Sequence, residues 1–83
     1  MTAVVIPFPC ARRVALVRSI ARRALELNPA AGEQHIRRSL DVQATVMRRR
    51  GVAEDLISRE ANGLDGAVRA LIWDAVMAPS GTR

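Results

Sequence analysis

Two interruptions constrain this chain more than any other feature. Asn28-Pro29 and Gly51 cut the sequence after Pro9 into three segments, each long enough for a helix and joined by very short links. Asn is a favoured N-cap and Pro is favoured just after it, so Asn28-Pro29 ends one helix and starts the next. A glycine followed by an apolar residue, Gly51-Val52, is the signature of a left-handed C-terminal cap. Short links between long helices make antiparallel neighbours. With 83 residues there is room for one domain and a marginal core, and a core of that size gains stability by pairing with a second copy or a partner.

Apolar periodicity fills in the segments. Over residues 10–27, Arg13, Val17, Ile20, Ala24 and Leu27 recur at intervals of four and three. Val14, Leu16 and Ala21 widen that stripe, and Arg12, Arg18, Arg22, Arg23 and Glu26 fall on the other side. Over residues 30–50, Ile36, Leu40, Gln43 and Met47 form one stripe and His35, Val42 and Val46 a neighbouring one, a pattern suited to contact with two helices. Over residues 53–77, Ile57, Ala61, Leu64, Val68, Leu71 and Ala75 repeat as a heptad seam, which predicts antiparallel packing on the second helix. Gly63 and Gly66 each weaken that helix by about 1 kcal/mol relative to Ala and mark the place for a kink. The expected fold is all-α: a three-helix bundle, or a long helical hairpin with the first helix crossing it, preceded by a short extended arm. The division is an arm over 1–9, a helical domain over 10–78 and a frayed tail over 79–83.

The arm, AVVIPFP over residues 3–9, cannot be helical because Pro7 and Pro9 forbid it. It is too short and too interrupted for a signal peptide, and no segment approaches the ~20 apolar residues that span a bilayer. Its β-branched and aromatic residues suit a strip laid on a groove. The third helix offers a surface for it: Trp73, Met77 and Ala70 lie away from the seam, beside the small residues Gly63, Gly66 and Ala67. Val5, Ile6 and Phe8 on the arm, with Trp73 and Met77 on the helix, are therefore the candidate partner-binding residues, the arm packing in its own chain or in a second copy. Two arms paired as a ribbon, as in ribbon-helix-helix proteins, rank lower because three long helices follow. A third role is a docking peptide for another protein.

Charge supports a second function. All 13 basic residues are Arg and the net charge is +5, which permits nucleic acid, acidic lipid or acidic protein as a partner. Arg18 and Arg22 share a helix face, and Arg48, Arg49 and Arg50 gather at the end of the second helix, where the helix dipole also favours positive charge. These five are the candidate nucleic-acid contacts. Only Phe8 and Trp73 are aromatic, which argues against single-strand stacking, and no turn reads as a helix-turn-helix. Membrane binding through the first helix ranks below both readings, since its large apolar residues are needed for the core.

Catalytic inventory is thin. Cys10 lies near a helix N-terminus beside two arginines, a setting that lowers a thiol pKa, but it reads first as a small apolar residue on the inner face. A single cysteine excludes an internal disulfide and fits a reducing cytoplasm. One histidine, His35, with one distant cysteine cannot make a metal site. No paired carboxylates and no Gly-rich phosphate loop stand out. No catalytic, cofactor-binding or metal-binding residue and no small-molecule substrate are expected. Gln43, in an otherwise apolar stripe, either fixes register through a buried partner or reaches water at the bundle edge.

Val5, Pro7, Phe8, Pro9, Arg12 and Arg13, then Asn28 to Ala31, then Met47 to Gly51 carry a resemblance over most of the chain. The pattern resembles a domain-of-unknown-function family of short alphaproteobacterial proteins of rhizobial type. The resemblance implies a bacterial cytoplasmic helical protein with the arm as a family feature, and it transfers no catalytic residue. Taken together, the expected function is a non-enzymatic interaction or assembly module, a homodimer or the subunit of a complex. The alternative is a basic accessory or regulatory DNA-binding protein.

Overall fold

The computed structural model describes residues 10–77, with side chains from Arg13 onward. The arm, with Val5, Ile6 and Phe8, the side chain of Cys10 and the tail lie outside the described residues. Helix α1 spans Cys10–Glu26, α2 Pro29–Arg49 and α3 Glu54–Met77. The fold is all-α, and each helix packs against the other two.

The links show why the helices stop where they do. The Asn28 side chain accepts a hydrogen bond from the Ala31 N–H at 2.8 Å, with extended backbone at Asn28 itself and Pro29 opening the helix. That satisfies one of the donors a helix start leaves unpaired. At the other end of α2, Gly51 has φ 85°, the left-handed region. The Val52 N–H donates to the Met47 carbonyl and the Gly51 N–H to the Arg48 carbonyl, both at 3.1 Å. This pair of bonds is the Schellman arrangement, and Val52 is buried against Met47 as the arrangement requires.

Both links reverse the chain, so α1 and α3 run parallel, each antiparallel to α2. Contacts fix this sense: Arg13 meets Glu60, Arg69 meets Glu33, and Arg48 meets Glu54. Near the first link, a Cβ on Gly32 would lie 3.0 Å from the Ala24 carbonyl oxygen. Glycine at that position lets α1 and α2 approach backbone to backbone.

The core has two halves. Met47, Val52, Ile57 and Leu64 fill the half beside the α2–α3 turn. Ile20, Ala21, Ala24, Ile36 and Val68 fill the other. Leu16, Val17 and Leu40 pack against both halves and join them. Each fully buried side chain such as Leu64 or Val68 contributes roughly 1.5–3 kcal/mol. Among the described residues no polar or charged side chain is buried. Gln43 is only half-buried, and among the described residues no buried side-chain polar atom lacks a partner, so Gln43 takes the edge position.

The α3 seam departs from the heptad at its end. Ile57, Leu64 and Val68 are buried and Ala61 half-buried, but Leu71 and Ala75 are exposed, and Ile72 packs on the core in their place. A straight helix has 3.6 residues per turn, so a seam of strict seven-residue period drifts by about 20° each heptad. By the last turns the drift has rotated Leu71 toward the α1 side and brought Ile72 inward. Gly63 and Gly66 produce no break in α3.

Candidate interaction surface

Three arginine ties close the bundle. Arg69 on α3 reaches α2: its Nη1 and Nη2 donate to the Glu33 carboxylate at 2.5 and 2.9 Å, while its Nε donates to Asp65 at 2.9 Å. Arg48 spans the α2–α3 turn and donates to Glu54 from Nε at 2.5 Å and from Nη2 at 3.0 Å. Arg13 on α1 pairs with Glu60 on α3 at 2.7 Å, its guanidinium lying over Gly63, where a Cβ would come within 2.6 Å of Nη2. The fork of donors on arginine suits such bidentate pairing with a carboxylate. Hydrogen bonds from Arg69 and Arg48 hold the Glu33 and Glu54 carboxyls below their ordinary range, and those carboxylates raise both guanidinium groups. Of the three arginines only Arg48 was a candidate from sequence. None of the three pairs is legible in one dimension, because each partner stands on another helix.

The candidate residues separate into distinct places. Trp73 and Met77 are 64% and 58% exposed and lie on the outer side of α3, with Val76 beside them also 64% exposed. Trp73 borders a shallow depression with Ile72, Val76 and the Glu33–Arg69 pair. Arg18 and Arg22 are exposed on α1, and Arg49 and Arg50 are exposed at the end of α2. Arg48 shares that end, with its guanidinium taken up by Glu54. His35 is half-buried, and among the described residues no three acidic, His or Cys side chains cluster to hold a metal ion.

A surface of which the sequence showed only the α3 side, as a strip of small residues, runs between α1 and α3. One wall is Val14, Arg18, Ala21 and Leu25; the facing wall is Ala67, Ala70, Leu71 and Asp74. Val14 is 50% exposed, Leu25 45% and Leu71 36%. The α1 residues repeat at intervals of four, three and four, and so do Gly63, Ala67, Ala70 and Asp74 on α3. On α1, Ala21 is buried in the core while Val14 and Leu25 on either side of it stay about half exposed, and on α3 Ala67 is half-buried and Ala70 exposed. The α1 wall was present in the sequence only as the residues that widened the α1 stripe. An open apolar groove with charged residues at its rim is what a partner helix recognises.

The family described as a family of unknown function (DUF6074) matches residues 1–83, and the chain belongs to that family. No curated protein and no solved structure matches it. No helix among the described residues is long and apolar enough to cross a membrane.

Proposed function

We propose that this DUF6074 member is a non-enzymatic protein–protein interaction module whose binding surface is the groove between α1 and α3. The observation that carries the reading is the apolar surface left open along the groove, where Val14, Leu25 and Leu71 are 50%, 45% and 36% exposed. Apolar side chains such as Val14, Leu25 and Leu71 cost free energy in water, and a bundle this small gains most from covering them. Trp73, Val76 and Met77 extend the apolar surface around the outer side of α3.

Photo-crosslinking in the producing cell tests this reading. A photoreactive residue at Ala70, in the groove, should give discrete protein adducts. The same residue at Arg38, exposed on α2, should give none. Absence of protein adducts at Ala70 overturns the reading.

Arg18, Arg22, Arg49 and Arg50 support a second reading, the basic DNA-binding accessory, because all four are exposed. A labelled duplex titrated at low and near-physiological salt decides it. Binding that persists at the higher salt and is lost in the fourfold Arg→Ala variant supports DNA contact. Binding confined to low salt is the generic attraction of a basic protein and removes this reading.

A further inference from the structure

We propose that the α1–α3 groove is the interface with a second copy of this chain, related by a two-fold axis running along the groove parallel to both helices. The inference rests on the interaction reading above and names its partner.

Large and small residues face each other across the groove. Val14 on α1, 50% exposed, stands across from Ala67 and Ala70 on α3. Further along, Leu71 on α3 stands across from the buried Ala21, and Leu25 on α1 across from Ala75. Large residues opposite small ones make a surface complementary to itself, provided α1 of each copy meets α3 of the other. An axis along the groove does that and keeps the helices at the same level. An axis across the helices would set α1 on α1 and α3 on α3, so that large side chains meet large ones and alanines leave gaps.

Charge selects the same axis. Arg18 and Asp74 line the same stretch of groove on opposite walls, yet they do not pair within the chain. The axis along the groove places Arg18 of each copy beside Asp74 of the other, twice per dimer. An axis across the helices midway along this stretch would set Arg18 of each copy against Arg22 of the other, and like charges facing each other oppose association. An isologous contact of this kind closes on itself and stops at two copies.

The first experiment is sedimentation velocity of the full chain from low micromolar to near-millimolar concentration. A concentration-dependent dimer is expected. Arg18→Asp and Asp74→Arg should each weaken it by about tenfold or more, since each exposed pair is modest and each is present twice. The combined variant R18D/D74R should restore it, a result that loss of folding cannot imitate. The axis is read by disulfide formation in a Cys10→Ser background. Chains carrying Val14→Cys and chains carrying Ala67→Cys should link when mixed, and neither should link alone. A chain that stays monomeric at every concentration overturns the dimer, as does a dimer indifferent to both charge reversals. Ala67→Cys chains that link to one another overturn the proposed axis. If the chain is monomeric but Ala70 crosslinks to a different protein, the dimer fails and the interaction reading stands. If Ala70 gives no protein adduct either, both fail.

Discussion

The two ends of the bundle are built to different standards. At the α2–α3 turn, Met47, Val52, Ile57 and Leu64 are sealed under a Schellman cap, and Arg48 ties the two helices across the turn through Glu54. At the opposite end, α3 runs into Trp73, Val76 and Met77, all more than half exposed, beside a half-exposed Leu25. Both ends carry large aliphatic or aromatic residues, so composition does not separate them. What separates them is the way each side chain faces: Met47, Val52, Ile57 and Leu64 are buried among the helices, whereas Trp73, Val76 and Met77 lie on the outer side of α3. Buried core is present in both halves, and large exposed apolar surface gathers at one end.

The sharpest way to break that contrast is to truncate one residue at each end. Leu64→Ala removes a side chain with no exposed surface and should cost about 3 kcal/mol, lowering the melting temperature by roughly 15 °C. Val76→Ala at the other end should change stability by no more than about 0.5 kcal/mol. Thermal melts followed by circular dichroism check both. Equal losses would mean that the open end is covered within the chain.

Glycines give the next contrast, and it has opposite signs. Gly51→Ala forces a side chain into left-handed backbone and should destabilise by about 1–2 kcal/mol. Gly66→Ala meets nothing within 4 Å and should stabilise α3 by up to about 1 kcal/mol. The same melts read both changes. A loss at Gly66 would show that something packs closely on the outer side of α3.

The smallest effect is on pH. Arginine hydrogen bonds depress the Glu33 and Glu54 carboxyls below 4.5. A depressed carboxyl contributes stability that is complete above its unfolded value and lost as pH falls through its folded one. Melting temperature should therefore decline gently as pH drops below about 4.5. Arg69→Gln should flatten the part owed to Glu33. Both carboxylates face solvent, so added salt should shrink the decline as well.

How much of this was legible in the sequence depends on the distance over which each feature is decided. The ends of α2 were legible because a cap is a local device: Asn28 bonds three residues on, and Gly51 closes bonds that reach back five. The buried positions Ile20, Ile36, Met47, Ile57, Leu64 and Val68 followed from helical period. The last turns of the α3 seam did not, since whether Leu71 or Ile72 turns inward depends on accumulated rotation and on where the other helices lie. Arg69 was overlooked because Glu33 is on another helix, and a one-dimensional pattern does not pair them. The groove was legible only in fragments. Val14 and Ala21 widened one stripe and Ala67 and Ala70 lay in another, and the parallel placement of α1 and α3 is what sets them face to face.

The Schellman turn has a consequence for time as well as for shape. It joins α2 to α3 so closely that Met47, Val52 and Ile57 meet across a very small loop, and closing a small loop sacrifices little chain entropy. Contacts of α1 with α3, such as Arg13 with Glu60, join residues more than half the chain apart. The α1–α2 link is as short, so both hairpins are expected to form before α1 settles against α3. In stopped-flow kinetics, shortening Met47 at the turn should slow refolding, whereas Arg13→Ala, which removes the tie to Glu60, should chiefly hasten unfolding. On this order of events, the contact of α1 with α3 is the last to close and the first to open, and the groove opens with it.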